Sequence, residues 1–278
     1  MVAVPGETRP PLRPFLKWAG NKYRVLPHIR RRLPAGERLV EPFVGSGALF
    51  LNSDYDAYLL ADSNPDLIHL YEVLKQEGAE FVRYCRRYFQ PRYNTPEQYY
   101  ALREKFNRAR QSRHKAALFV YLNRHGYNGL CRYNASGGFN VPFGRYRRPY
   151  FPEAEMLAFH DKAQRAEFRV QSFEITLGQT GQGDVVYCDP PYVPLSLSAS
   201  FTTYSRGGFD LDQQRLLARL AAETAERGVP VLISNHDTPF TREAYAAARS
   251  LDAFAVHRSI SCNIARREAA GELLALFA

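Results

Sequence analysis

A chain of 278 residues, of which 45% are hydrophobic, is long enough to bury one large core or two smaller ones. No apolar run approaches the roughly 20 residues that span a bilayer, and the N-terminus lacks the apolar stretch of a signal peptide. The four cysteines are widely separated, so disulfides and zinc are not expected. We therefore expect a cytoplasmic protein without a metal site.

The positive charge is confined to the middle of the chain. The net charge is +9, and residues 66–170 hold 19 basic against 10 acidic residues, whereas the remaining residues hold 18 of each. The same segment holds 11 of the 18 tyrosines. A solvated helix surface would explain the charge alone, but its confinement together with the tyrosines favours binding to a nucleic acid.

The first residues of the chain predict a tail followed by a loop that contacts a ligand. Residues 1–14 carry four prolines and little periodicity, which indicates a flexible tail. The segment Phe15–Gly20 then holds the single tryptophan, Trp18, among charged and turn-forming residues. A lone tryptophan is most often part of the core, but this setting also suits a loop that covers a ligand. Residues 22–33 have a helical pattern.

Two short strands and the loop between them predict a nucleoside-binding edge. The strand Arg38–Glu41 leads into the loop Glu41–Gly47, whose two glycines allow a tight turn and close approach to a ligand. A helix is predicted from Ala48, and the next strand, Tyr58–Ala61, ends at Asp62. Nucleoside-binding α/β folds bind ribose hydroxyls at this position. The glycine pair alone is a weak signal, and Asp62 could instead cap the helix that follows.

The basic segment combines helices with one long irregular stretch. Residues 66–125 have a helical pattern interrupted at residues 94–96, and residues 114–123 are apolar enough for a buried helix. Residues 123–148 have no periodicity and are rich in glycine, asparagine, aromatic and basic residues, which predicts a functional loop or hairpin. Arg132 could bind guanine, Asn128 could bind a base edge and Tyr127 could insert into a base stack. Any one of them could equally be a turn residue.

The sequence after this stretch predicts the central strand of a sheet. A helix over residues 152–165 and a strand over Glu167–Phe173 precede the central strand, Asp184–Cys188, which contains the apolar run Val185–Cys188. Asp189-Pro190-Pro191-Tyr192 follows, and its prolines stop the strand and stiffen the turn. Asp189 is thereby expected at the carboxyl edge of the sheet, where open α/β folds bind ligands.

The turn at Asp189 carries the groups needed to activate an aromatic amine. The Asp189 carboxylate and the Pro190 carbonyl can both accept hydrogens from the exocyclic amine of a flat base. The nitrogen lone pair is then localised and can attack an electrophilic methyl group, while Tyr192 stacks on the base. The alternative is a strand that ends in a rigid turn with an N-capping aspartate.

The remaining sequence completes the predicted sheet. Residues 194–208 form a candidate lid, followed by a helix over Asp210–Arg227 and a buried strand over Val229–Ser234. His236 follows that strand at its carboxyl end, and a structural role is favoured there over general-base catalysis. The last two strands are predicted over residues 253–260 and 272–277.

Six blocks in the same order resemble one family over nearly the whole chain, from residue 15 to residue 277. They are Phe15–Gly20, Glu41–Gly47, Tyr121–Asn134, Val141–Tyr146, Asp189–Tyr192 and Ile233–Asp237. The chain resembles the DNA adenine-N6 methyltransferases of the Dam type, in the alpha group of amino-methyltransferases. The resemblance implies methyl transfer from S-adenosylmethionine to N6 of an adenine in GATC of double-stranded DNA. The adenine must be flipped out, because its amine is inaccessible inside the base stack.

The resemblance also implies the roles of individual residues. The implied catalytic residues are Asp189, Pro190, Pro191 and Tyr192. The implied cofactor contacts are Trp18, Lys22, Glu41, Phe43, Gly45, Asp62 and Asp189, with Asp62 on the ribose. The implied DNA contacts are Lys17, Tyr127, Asn128, Leu130, Arg132 and Pro142, with Lys17 at the first guanine and Tyr127 intercalated.

The implied architecture is a Rossmann-like α/β methyltransferase sheet with a mainly helical target-recognition insert and a hairpin loop. The catalytic domain would comprise residues 15–65 and 166–278, and the DNA-recognition domain residues 66–165, after the tail of residues 1–14. The expected protein is a monomer whose partner is double-stranded DNA. The chain departs from the family pattern at Asn21, where a second glycine is common. It departs again over Ser259–Ala270, which lacks the expected glycine-rich basic turn.

Two other functions fit parts of the sequence. A non-catalytic DNA-binding protein could keep this fold, although the intact Asp-Pro-Pro-Tyr and glycine loop argue against it. A protein amide methyltransferase could use a similar turn, but an asparagine normally leads that turn and a basic hairpin would serve no purpose there.

Overall fold

The computed structural model describes residues 11–194, 209–256 and 270–278. Its centre is a seven-stranded sheet in the order β3-β2-β1-β4-β5-β7-β6. The strands are β1 (Arg38–Glu41), β2 (Ala57–Asp62), β3 (Ala166–Val170), β4 (Asp184–Cys188), β5 (Val231–His236), β6 (Ser250–Val256) and β7 (Ala270–Phe277). The first five strands pair in parallel, and β7 lies antiparallel to both β5 and β6.

Helices alternate with the strands and form the insert between β2 and β3. They are α1 (Leu26–Arg32), α2 (Ala48–Asn52), α3 (Pro65–Glu77), α4 (Ala79–Arg86), α5 (Pro96–Arg108), α6 (Arg113–His125), α7 (Glu153–Ala163), α8 (Phe173–Gly178), α9 (Leu211–Glu226) and α10 (Pro239–Ala244). Short 3-10 turns occur at Lys22–Arg24, Pro91–Tyr93 and Tyr127–Gly129. Within the described ranges, no helix is long and apolar enough to cross a membrane.

The sheet is covered on both faces, as its continuous apolar strands require. Successive side chains of β4 point to opposite faces. Val185 and Tyr187 join a core shared with the helices of the insert. Val186 and Cys188 join a second core shared with α9 and β5. The central strand is therefore held rigidly from both sides, which fixes the position of the residue that follows it.

The strand order reverses between β1 and β4, which are hydrogen-bonded neighbours at the centre of the sheet. Ligands of open α/β sheets bind in the crevice that such a reversal leaves at the carboxyl ends of the strands. Glu41 ends β1, Asp62 ends β2 and Asp189 follows β4. The fold thus brings three acidic residues to one edge.

The insert packs continuously onto the sheet. Tyr71 of α3 and Phe159 of α7 lie with their ring centroids 4.6 Å apart in the core that also contains β-strand residues. Gly78 separates α3 from α4 with a positive φ of 50°, and a Cβ there would lie 2.7 Å from Nε2 of His160. The hairpin after α6 is closed by two antiparallel bridges, Gly126–Phe143 and Tyr133–Phe139.

Most predicted elements are confirmed, and the differences at their ends have local causes. The helix expected over residues 22–33 is divided into a 3-10 turn and α1, because Pro27 lacks an amide hydrogen and fits only a first helical turn. β3 ends at Val170 rather than at Phe173, because Phe173 begins α8. β5 begins at Val231 rather than Val229, since Pro230 cannot donate to the ladder.

The N-terminal segment is attached earlier than predicted. Leu12 donates its amide to Oδ1 of Asn52 at 2.7 Å and accepts a hydrogen bond from Asn52 Nδ2 at 2.9 Å. The side chain of Asn21 accepts from the amide of Tyr23 and caps the 3-10 turn, which explains the residue found in place of a second glycine. The expected tail residues 1–10, the candidate lid after residue 194 and the segment 257–269 lie outside the described residues.

Candidate active site

Asp189 lies directly after β4 and carries an ion pair. Nζ of Lys22 lies 2.8 Å from its Oδ1, and the Ser234 hydroxyl donates to the same oxygen at 3.2 Å. Burial raises the pKa of Asp189, and the Lys22 ammonium and the Ser234 hydroxyl offset part of that rise. Both donors favour the carboxylate form, which an acceptor of amine hydrogens must have.

Lys22 also connects the N-terminal loop to the turn. Its ammonium donates to the Gly20 carbonyl at 2.8 Å and lies 4.2 Å from the centre of the Tyr192 ring. The Lys22 side chain is only 8% exposed, so the contacts form in a partly desolvated setting where charge interactions are strengthened. One cation thereby touches both the acid and the aromatic ring of the turn.

The turn after Asp189 is held by side chains from β5 and α9. Gln214 donates to the Pro191 carbonyl at 2.6 Å, and the Val193 amide donates to Oδ1 of Asn235 at 3.0 Å. Nδ1 of His236 lies 2.6 Å from the Val193 carbonyl, which can only accept, so this nitrogen is the donor. His236 thus supports the turn, in agreement with the structural role favoured for it.

The Pro190 carbonyl has a different environment. Pro190 is buried, yet none of the described residues donates a hydrogen bond to its carbonyl. A carbonyl that has no donor among these residues is available to accept a hydrogen bond from a ligand. The Asp189 carboxylate and this carbonyl are adjacent in the chain and can serve one amine.

Tyr192 is oriented from β7. Its hydroxyl donates to Glu272 at 2.7 Å, and its ring meets the His236 ring edge-on at a centroid distance of 4.7 Å. Burial raises the pKa of Tyr192 well above its usual value, so the hydroxyl stays a donor. Sequence reasoning missed Glu272, whose proximity arises only from the β5–β7 register that places it opposite His236.

The glycine loop is fixed between three side chains. Gly45 has a φ of 47°, and a Cβ there would lie 2.8 Å from Nε1 of Trp18. Its amide donates to Oδ2 of Asp62 at 3.1 Å, while the Tyr71 hydroxyl donates to its carbonyl at 2.5 Å. The close contact explains why a glycine is needed there and places Trp18 against the loop, where it also packs on the core.

Asp62 holds the loop rather than capping a helix. Its Oδ1 accepts from the Asn64 amide at 2.9 Å. Asn64 is the N-cap of α3, since its side chain accepts from the amides of Asp66 and Leu67. The capping alternative for Asp62 is therefore wrong. Burial raises the pKa of Asp62, and the backbone donors offset part of the rise.

Glu41 is a buried acid at the end of β1. Burial and the nearby Asp189 carboxylate raise its pKa to about 8. Its Oε1 is buried and has no hydrogen-bond partner among the described residues. An orphaned acceptor in a ligand crevice is suited to a ligand that brings a donor or a positive charge.

An aromatic wall adjoins the glycine loop. Phe43 stacks on Phe173 with centroids 5.5 Å apart and meets Phe209 edge-on at 5.6 Å. Sequence reasoning identified Phe43 but missed its two partners, which come from distant parts of the chain. An apolar aromatic surface at this edge of the sheet is suited to contact a ring of a ligand.

The hairpin exposes four of the predicted DNA contacts, namely Tyr127, Asn128, Arg132 and Pro142. Tyr127 is 52% exposed, and its amide donates to the carbonyl of exposed Pro142 at 2.8 Å. Asn128 is exposed and has a positive φ of 53°. Arg132 is also exposed, and its Nε donates to Oδ1 of Asn140 at 2.8 Å. Asn140, which was not singled out from the sequence, thus orients the guanidinium.

Lys17 is joined to this hairpin by Asn123, another residue that sequence reasoning missed. Oδ1 of Asn123 accepts from the Lys17 amide at 2.9 Å, and its Nδ2 donates to the carbonyls of Lys17 at 2.7 Å and Gly129 at 3.2 Å. The Lys17 ammonium lies 4.0 Å from the Tyr146 ring centre. Half-buried Leu130 follows Gly129 and packs on the core.

The base of the hairpin is attached next to the carboxyl end of β2. Tyr133 donates to Oδ2 of Asp66 at 2.9 Å, and Lys115 forms an ion pair with the same carboxylate at 2.9 Å. Asn64 donates to Sγ of Cys131 at 3.6 Å. The exposed hairpin surface and the carboxyl edge of β2 are therefore linked through a few direct contacts.

Known proteins match this chain over most of its length. Residues 18–258 match the family described as D12 class N6 adenine-specific DNA methyltransferase. The DNA adenine methylase of Escherichia coli (strain K12) is 54% identical over 265 residues, covering 95% of both chains. Those of Serratia marcescens and Vibrio cholerae serotype O1 are 52% and 51% identical over 266 residues, covering 95% of this chain and 98% and 96% of theirs.

The sheet order and the Asp-Pro-Pro-Tyr turn at its switch point are those of a Rossmann-like methyltransferase. The chain belongs to the D12 class of N6 adenine-specific DNA methyltransferases. It is an enzyme that methylates adenine in DNA in a site-specific manner.

Proposed function

We propose that this enzyme transfers the methyl group of S-adenosylmethionine to N6 of an adenine flipped out of GATC in double-stranded DNA. The observation that carries the proposal is the pair formed by the Asp189 carboxylate and the Pro190 carbonyl at the switch point of the sheet. The pair combines a carboxylate with a carbonyl to which no described residue donates.

The residues of the turn act on the target amine. The Asp189 carboxylate and the Pro190 carbonyl each accept one hydrogen of the amine, so its lone pair no longer delocalises into the ring. Tyr192, oriented by Glu272, holds the base by stacking. After transfer the nitrogen carries an excess proton, which the Asp189 carboxylate is positioned to take. Pro191 keeps the turn rigid.

The cofactor edge is proposed to bind S-adenosylmethionine, which supplies the electrophilic methyl group when bound. Asp62 would bind the ribose hydroxyls with the lone pairs that its two backbone donors leave free. Oε1 of Glu41 would accept from the ammonium group, and the wall at Phe43 would contact the adenine ring. The other proposed contacts are Trp18, Lys22, Gly45 and Asp189.

The hairpin surface is proposed to read the DNA. Tyr127 would insert into the stack beside the extruded adenine, and Arg132 and Asn128 would bond base edges. Lys17 would contact the first guanine, and Leu130 and Pro142 would pack against the bases. This assigns DNA recognition to residues 66–165 and catalysis to residues 15–65 and 166–278. The proposed enzyme works as a monomer in a bacterial cytoplasm or, if phage-borne, in the host cell.

The proposal can be tested with labelled S-adenosylmethionine and two duplexes that differ only in one tetranucleotide. One contains GATC and the other GTAC, so their base composition is identical. We expect label only in the GATC duplex, recovered after nucleoside digestion as N6-methyladenine. Equal label in both duplexes would contradict GATC specificity, and label in neither would contradict the proposed reaction.

A further inference from the structure

A buried polar network lies behind the Asp-Pro-Pro-Tyr turn, outside the predicted site. It consists of Gln214 on α9, Asn235 on β5 and Tyr245 after α10, and each is fully buried. Gln214 donates to the Pro191 carbonyl at 2.6 Å, and Asn235 accepts from the Val193 amide at 3.0 Å. The network therefore contacts the turn at two backbone groups.

The members of the network also bond one another. Nδ2 of Asn235 donates to Oε1 of Gln214 at 3.1 Å and to the Tyr245 hydroxyl at 2.9 Å. Because the Pro191 carbonyl can only accept, Nε2 of Gln214 must face it, and Oε1 must face Asn235. Each amide thus has a single allowed orientation. Buried amides are costly unless satisfied, and an apolar residue would fill the same space more cheaply.

The backbone of the turn shows what the network controls. Proline locks φ of residues 190 and 191, and a following proline restricts ψ of residues 189 and 190. The rotation about ψ of Pro191 has no such restriction, and it sets the direction of the Pro191 carbonyl. Gln214 donates to that carbonyl, and Asn235 accepts from the amide of Val193, two residues further along the chain. The side-chain bonds therefore restrain a backbone rotation that neither proline restricts.

We infer that Gln214 and Asn235 are positioning residues that hold the Asp-Pro-Pro-Tyr turn so that the Asp189 carboxylate and the Pro190 carbonyl converge on the target amine. This rests on the proposed function of the turn in adenine methylation. Neither residue touches the reacting atoms. Helix α9 is itself fixed at its start by a capping box between Asp210 and Gln213, so Gln214 projects from a rigid element.

The variant Gln214→Glu separates positioning from general structural support. A protonated glutamic acid can donate to the Pro191 carbonyl while its other oxygen accepts from Asn235, whereas the carboxylate repels that carbonyl. The single-turnover methylation rate of the variant, divided by that of the wild type, should therefore rise as pH falls. This ratio of rates cancels the pH dependence that both proteins share. The ionisable groups nearby that both proteins contain are Asp189, Cys188, Tyr245 and His236.

The assay uses long natural DNA that contains many adenine contexts, so it does not depend on GATC. A displacement of 1 Å costs about a hundredfold in rate, so we expect Gln214→Glu to lose at least tenfold at high pH, with S-adenosylmethionine affinity little changed. Gln182→Glu makes the same chemical change at an exposed residue just before β4, at the opposite edge of the sheet, and should match the wild type at every pH. The neutral Gln214→Met, of similar volume, should lose rate equally at all pH values.

Each result has a defined meaning. A ratio for Gln214→Glu that does not change with pH, or a wild-type rate for folded Gln214→Met, would overturn the positioning role. If Gln214→Glu unfolds at high pH, the Gln214→Met rate decides. A wild-type enzyme that labels no adenine would instead contradict the proposed function itself, which separates the two failures.

Discussion

At the scale of single residues, the pair Lys22–Asp189 sets the charge at the proposed reacting centre. The ammonium touches the carboxylate at 2.8 Å and the Tyr192 ring at 4.2 Å. Burial raises the pKa of Asp189, and Lys22 lowers it again. An acceptor of amine hydrogens must be ionised, so the rate should fall as the pH drops through the pKa of Asp189.

Replacement of Lys22 by methionine should move that fall to higher pH. The variant loses the charge that favours the carboxylate, and the pKa of Asp189 rises further. The measurement is single-turnover rate against pH at saturating cofactor, because Lys22 is also a proposed cofactor contact. An acid limb at the same pH in both proteins would show that Asp189 is not the titrating group.

Glu41 gives a prediction about stability. Its pKa is raised to about 8, so between its ordinary value and pH 8 the folded protein keeps a proton that the unfolded chain has released. The free energy of unfolding must therefore decrease as pH rises through this window, by an amount on the order of a few kcal/mol. In Glu41→Gln this contribution disappears. Urea unfolding at pH 5 and pH 8 should show a smaller difference in the variant, and an unchanged difference would refute the assignment.

At the scale of elements, the hairpin presents a pre-oriented guanidinium. Arg132 donates to Asn140 across the hairpin, and Tyr127 is held to Pro142. Arg132→Ala should weaken binding to the cognate site by about 1–3 kcal/mol. It should also reduce the preference for guanine at one position of that site. Asn140→Ala should cause a smaller loss in the same direction. Competition between GATC and its single-base variants measures both, and an unchanged preference in Arg132→Ala would rule out base recognition by this residue.

The elements differ in how well the sequence predicts them. The Asp-Pro-Pro-Tyr turn and the glycine loop are local, so their residues and their place at the strand ends could be predicted. Gln214, Glu272 and Asn123 contact the site from 23 to 106 residues away. Such contacts depend on sheet register and helix packing, and a single glutamine or glutamate has no local signal that would reveal them.

At the scale of the molecule, the sequence features that predict the fold differ from those that give the protein its positive charge. The strands themselves could be predicted from alternating short apolar runs and helical patterns. The end of β3 depended on the start of α8 at Phe173, and the start of β5 depended on Pro230. The excess of basic residues within residues 66–170 belongs to the insert. It indicates the kind of partner that the insert binds and carries no information about the fold.

The basic insert predicts strongly salt-dependent DNA binding. Each lysine or arginine that neutralises a phosphate contributes about one to the slope of log affinity against log salt. Arg147 is exposed beside the hairpin. Arg147→Ala should weaken binding to all sequences alike and reduce the slope by about 1, in contrast to Arg132→Ala. A sequence-dependent effect of Arg147→Ala would contradict a phosphate contact.

The most direct test compares two identical substitutions at opposite ends of β4. Asp189→Asn removes the proposed acceptor, whereas Asp184→Asn alters a carboxylate that pairs with Arg38 at the other edge of the sheet. We expect Asp189→Asn to lower the single-turnover rate of adenine methylation by about 10²–10⁴-fold while DNA binding persists. Asp184→Asn should keep the wild-type rate at a temperature where it is folded. A near wild-type rate for Asp189→Asn would contradict the assignment of catalysis to this turn.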